Sequence, residues 1–157
     1  MSTMHRRTFL QASLGTGVIA LAAGAGLLTP TCVQAAAWPK AAFEGKSVDE
    51  ILKDLYGSTS ATPSNDIVIK APIQAENGAV VPISVTTKLP NVEAIGILVE
   101  KNPQPLIASV QLTGAEGYFS ARMKMGTTSD VRVYVKSGGK LHMASQQIKV
   151  TVGGCGG

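Results

Sequence analysis

Cysteine is the scarcest chemistry in this 157-residue sequence, with only Cys32 and Cys155 carrying a thiol. Two cysteines cannot build the disulfide framework of a small secreted scaffold. There are only 2 histidines, and a single thiol does not supply the several ligands that zinc or iron requires, so no metal site is expected. Aromatic residues make up 4% and never interleave with a basic cluster, which argues against nucleic acid as a partner. The apolar run over residues 14–28 carries no charge, yet it is short and glycine-rich for a membrane span. Internal repeats, low-complexity linkers and a second domain are also lacking. Apolar residues at 45% and charged residues at 15% remain ordinary for one globular core.

The apolar run follows His5-Arg6-Arg7-Thr8-Phe9-Leu10-Gln11, and a paired Arg6-Arg7 before Phe-Leu is similar to the twin-arginine export signal. Either Val33-Gln34-Ala35 or Ala35-Ala36-Ala37 suits signal peptidase, so residues 1–37 are expected to be a signal peptide and the mature protein periplasmic, without a membrane anchor. The alternative is an uncleaved anchor. Removing Arg6 and Arg7 leaves 12 basic against 10 acidic residues, a mature net charge of +2 in place of +4. Cleavage also removes Cys32. Cys155 is then the one remaining thiol in an oxidising compartment, which implies intermolecular pairing or a reactive group.

Residues 38–152 are expected to form one domain. After a lead over 38–46, the spacing predicts a helix over 47–56. Ser47 and Glu50 form a capping box, Val48, Ile51, Leu52 and Leu55 share a face that needs a sheet to cover, and Gly57 supplies a left-handed stop. Beyond it every segment reads as strand: 67–69, 80–87 across an Asn77-Gly78 turn signal, 94–99, 106–112, 118–125, 131–136 and 141–152. Pro72 and Pro82 demote their positions to edges or bulges. Val131, Val133 and Val135 alternate with Arg132, Tyr134 and Lys136, which assigns them to opposite faces. The expectation is an all-β fold, an immunoglobulin-like antiparallel β-sandwich with one short N-terminal helix and a flexible C-terminal arm.

That arm is Gly153-Gly154-Cys155-Gly156-Gly157. Four glycines without side chains should leave residues 153–157 mobile. A catalytic cysteine wants a fixed histidine or helix N-terminus to lower its pKa, and a pliable tail offers neither, so the chain is not expected to be an enzyme. A group carrier wants the reverse, a nucleophile on a thin tether that enters another protein and leaves again.

Two weaker constellations compete. Met123 and Met125, with His142 beside Met143, offer soft ligands of the kind that select Cu(I), although methionine is also an ordinary core filler. His142 is a conceivable base for Cys155 if the arm folds back, but a solvent-facing or partner-facing histidine is the simpler expectation. From another class of function, the chain is a structural subunit whose Cys155 forms an intermolecular disulfide.

The stretch 150–157, together with Ala75-Glu76-Asn77-Gly78-Ala79-Val80-Val81-Pro82 and Glu100-Lys101-Asn102-Pro103-Gln104-Pro105, resembles the SoxY family, the sulfur-carrier subunits of the periplasmic thiosulfate-oxidising system. The resemblance implies that Cys155 is the covalent attachment point for sulfur intermediates and that the carrier itself needs no cofactor. It implies a heterodimer with SoxZ, a second small β protein. It implies further partners: a c-type haem enzyme that couples thiosulfate to the thiol, a manganese-dependent hydrolase that releases sulfate and, where present, a sulfane dehydrogenase.

Overall fold

The computed structural model describes residues 38–151. The expected signal segment with Arg6 and Arg7, and the arm with Gly153, Gly154, Cys155, Gly156 and Gly157, lie outside the described residues. Within them, nine strands and two helices follow one another as α1 Lys40–Glu44, α2 Val48–Tyr56, β1 Thr62–Pro63, β2 Ile67–Lys70, β3 Gln74–Ala75, β4 Val81–Thr87, β5 Val92–Val99, β6 Leu106–Gln111, β7 Tyr118–Met123, β8 Ser129–Ser137 and β9 Lys140–Val150. The larger sheet runs β1-β9-β8-β5-β6 with β3 also on β9, and the smaller runs β2-β4-β7. The two make a β-sandwich of immunoglobulin-like architecture.

Period-two alternation builds the space between the sheets. Val131, Val133 and Val135 of β8 meet Ile95, Ile97 and Val99 of β5, Val81, Ile83 and Val85 of β4, and Ile148 of β9, all essentially without exposure. Met123 and Met125 belong to this same buried cluster. The opposite face of β8 carries Arg132, Tyr134 and Lys136, as the alternation predicts. There Tyr134 is buried because Ile51 and Leu52 of α2 lie over it with Leu98, Leu106 and Leu141. The apolar stripe of α2 thus finds the sheet it needs, and the described residues form three layers: helices, larger sheet, smaller sheet.

The ends of α2 follow local chemistry. Ser47 Oγ accepts from the Glu50 N–H at 3.2 Å, and Gly57 takes φ 71° while donating to the Lys53 carbonyl at 2.9 Å. The capping box is shifted by one residue, since Glu50 Oε2 accepts from Lys46 N–H and not from Ser47.

The fold departs from the sequence expectation at four places. The lead over 38–46 contains a second helix, α1, whose Ala42 packs into the helix-side cluster. The sandwich is not wholly antiparallel, because β1 and β3 both pair in parallel with β9, at His142 and Met143 and at Lys149 and Val150. Each is two residues long, too short for alternation to register. Asn77-Gly78 does not close a tight hairpin: β2 and β4 do pair antiparallel, Ile67 with Thr87 through Lys70 with Ser84, but the chain between them crosses to the other sheet and forms β3. Finally, β9 ends at Val150. Pro82 obeys the edge rule, since β2 pairs only with Ser84 to Thr87 and leaves the proline flanked by β7 alone.

Candidate functional site at the end of strand β9

β9 delivers the chain toward Cys155, and its last residues are held from both sides. Lys149 N–H donates to the Ile73 carbonyl at 2.9 Å and Thr151 N–H to the Ala75 carbonyl at 3.0 Å, while Val150 N–H, pointing the other way, donates to Thr128 Oγ1 at 3.0 Å. Thr151 Oγ1 adds a 3.4 Å contact to Ala75 O. β3 therefore exists to grip this end of β9.

Gly78 lies beneath the same point. A Cβ there would collide with the Met125 carbonyl oxygen and stand 2.9 Å from Val150 Cγ1, so only glycine lets the two backbones come this close. The Met125 N–H donates to the Gly78 carbonyl at 2.7 Å. On the far side of this loop Asn102 bonds twice, its Nδ2 donating to Lys124 O at 2.7 Å and its Oδ1 accepting from Gly126 N–H at 3.2 Å. Lys101 N–H donates to Ser129 Oγ at 3.0 Å, and Glu100 pairs with Arg132 at 3.0 Å.

The stretches 75–82, 100–105 and 149–151 thus meet through the loop between β7 and β8. In the sequence, 75–82 carries a turn signal at Asn77-Gly78 and the start of a strand, and 100–105 enters only through the family resemblance. A turn signal at Asn77-Gly78 and a family resemblance over 100–105 reveal no long-range partner, so the bracing role of Gly78 and Asn102 leaves no local pattern. Backbone amides, a threonine hydroxyl and an asparagine amide form the brace. None of these groups is charged, and together they hold residues 149–151 against the loop between β7 and β8.

The other candidates fall apart on geometry. His142 sits at the start of β9, opposite Val135 and beside Thr62. Nine residues of strand separate it from Thr151, roughly 30 Å at strand rise. Four residues from Thr151 to Cys155 span at most about 14 Å fully extended. The arm cannot fold back far enough to use His142 as a base. The soft ligands are also divided: Met123 and Met125 lie in the core between the sheets, whereas Met143 packs with the helix-side cluster. No copper constellation is assembled from them.

Residues 52–155 match the family described as sulfur oxidation protein SoxY. The sulfur carrier protein SoxY from Chlorobium limicola f thiosulfatophilum aligns with a TM-score of 0.62 at 38% identity, covering 68% of this chain and 97% of that one. Two superoxide reductase (neelaredoxin) structures from Ignicoccus hospitalis, one of them a variant, align with TM-scores of 0.50 at 16% and 14% identity. They cover 55% and 67% of this chain and 81% and 93% of their own, and at such identity they share the fold alone. No curated protein sequence matches the chain. The family match includes Cys155 and the whole braced root, and with the 38%-identical carrier structure it shows that the chain belongs to the SoxY family of sulfur oxidation proteins.

Proposed function

We propose that this protein is a covalent sulfur carrier that holds thiosulfate-derived intermediates on Cys155 and presents them to partner enzymes, without catalysing a step itself. The observation that carries the reading is the braced root. Residues 149–151 are pinned by Ile73, Ala75 and Thr128 only four residues before a cysteine set among glycines. A fixed base with a side-chain-free tether is what a carrier needs, because the docking geometry is then set by the body and the threading by the arm.

The chemistry suits a thiolate. The Cys155 thiolate and the outer sulfur of thiosulfate lose two electrons to a c-type haem enzyme, and a sulfur–sulfur bond forms to give Cys-S-S-sulfonate. Water then attacks the sulfonate sulfur in a manganese-dependent hydrolase, sulfate departs, and the persulfide stays on Cys155. A sulfane dehydrogenase, where present, oxidises the outer sulfur for a second hydrolysis. The carrier contributes the attachment atom, the tether and the docking surface. SoxZ is its heterodimer partner, and the compartment is the periplasm, reached through the twin-arginine signal at Arg6 and Arg7.

The test is Cys155→Ser in the reconstituted system. Thiosulfate-dependent reduction of the haem acceptor should be abolished while the variant folds and pairs with SoxZ as before. Turnover that survives the substitution, or a wild-type thiol found only in intermolecular disulfides, would favour the structural-subunit alternative.

A further inference from the structure

We infer that Asn77 is a site of spontaneous deamidation in the folded protein, and that its isoaspartyl product releases the end of β9. Asparagine is among the chemically labile residues. The sequence holds four, Asn65, Asn77, Asn91 and Asn102, followed by Asp66, Gly78, Val92 and Pro103. Deamidation begins when the next residue's main-chain nitrogen attacks the carbonyl carbon of the asparagine side chain. A Cβ on that residue crowds the attack, and a proline nitrogen has no proton to release. Only Asn77 precedes a residue with neither obstacle.

The local structure favours the reaction. Asn77 is exposed, so water and hydroxide reach it. Its Oδ1 accepts from the Ala79 N–H at 2.9 Å, which folds the side-chain amide back over the Gly78 peptide and polarises the carbonyl under attack. The Gly78 N–H donates no hydrogen bond among the described residues, so no bond must break before that nitrogen gives up its proton.

The Gly78 nitrogen forms a bond to Asn77 Cγ, the Cγ–Nδ2 bond breaks, and Nδ2 leaves as ammonia with the proton from Gly78. Water then opens the resulting succinimide, with no oxidation or reduction in either step. Opening at Cγ gives aspartate on an unchanged main chain. Opening at the main-chain carbonyl of residue 77 gives isoaspartate, whose main chain is longer by one carbon.

The extra carbon falls where the fold has no slack. The Gly78 carbonyl accepts from the Met125 N–H at 2.7 Å, and a Cβ at Gly78 would collide with the Met125 carbonyl and stand 2.9 Å from Val150 Cγ1. Displacing Gly78 therefore breaks the bond to Met125 and pushes on Val150, whose own N–H is held by Thr128 Oγ1 at 3.0 Å.

The experiment incubates the full chain, folded, at mildly alkaline pH and maps it with trypsin, which releases Asn77 in peptide 71–88, Asn65 in 54–70 and Asn91 in 89–101. Unmodified peptide 71–88 should be lost first, replaced by aspartyl and isoaspartyl forms that a protein isoaspartate methyltransferase distinguishes. Peptides 54–70 and 89–101 should stay intact over that time, and Asn77→Gln should stay unmodified. The isoaspartyl fraction should melt at a lower temperature than Asn77→Asp, which keeps the main-chain length, and should exchange its Met125 and Val150 amides faster. A peptide 71–88 that persists in the folded protein while the urea-unfolded chain converts overturns the site, as does earlier conversion at Asn65 or Asn91. Isoaspartyl protein whose Met125 and Val150 amides exchange as in fresh protein overturns the release of β9.

Discussion

Tyr56 carries a polar atom that the fold leaves without a partner. Its hydroxyl is buried and makes no hydrogen bond, lying so close to Gly96 that a Cβ there would collide with it. Burial pushes the Tyr56 pKa up to about 12, with Tyr134 adding to the rise. The neutral phenol is thus favoured in the folded state. The unfolded chain loses its proton near pH 10 and the folded one near pH 12, so stability present below pH 10 is lost as pH climbs between them, on the order of 3 kcal/mol in all. Tyr56→Phe removes both the unpaired hydroxyl and the titration. Denaturant melts should show it at least as stable as wild type at pH 7, with less loss of stability between pH 10 and pH 12. A steeper alkaline loss in the variant would contradict the assignment.

Gly78 is the second residue whose identity the packing dictates. Gly78→Val would force apart the Met125 carbonyl and Val150, at roughly 2 kcal/mol or more for overpacking against backbone. Because the displaced atoms belong to the arm root, the variant should melt earlier and also lose turnover at temperatures where it is still folded. Thermal melts paired with activity in the reconstituted system would reveal this. From the sequence, the glycine was legible only as a turn residue. Its long-range partner, Val150, is 72 positions away, beyond what local propensity encodes.

The loop between β7 and β8 is the element on which the site depends most. Asn102 fastens it from one side and Gly78 from the other. Asn102→Ala removes two hydrogen bonds and should lower stability by about 1 to 2 kcal/mol. Hydrogen exchange should show faster exchange at the Gly126 and Val150 amides than in the centre of β8. Exchange that quickens equally throughout the sandwich would mean the brace is not local.

Most elements were legible because they are long enough to show a period. The six longer strands and α2 appear within a few residues of their expected bounds, and the face assignment of Val131, Val133 and Val135 holds. The two-residue strands β1 and β3 are set by pairing with β9 and leave no local pattern. α1 is five residues long and has no side-chain cap, so tertiary contact with the helix-side cluster decides it.

At the scale of the whole molecule, the end of β9 is braced from both sides within the three layers of the described residues. Scarcity alone singles out Cys155 in the sequence, as one of only two cysteines. The brace was not legible there, because it joins segments that are adjacent only after the sheets close.

Intact mass of the carrier after incubation with thiosulfate and the haem-containing conjugating enzyme tests the covalent carrier role most directly. Wild-type protein should gain the mass of one thiosulfate, mapped by peptide sequencing to Cys155 and released by a thiol reductant, and Cys155→Ser should gain nothing. An unmodified wild type under turnover, or an adduct that persists in Cys155→Ser, would contradict it.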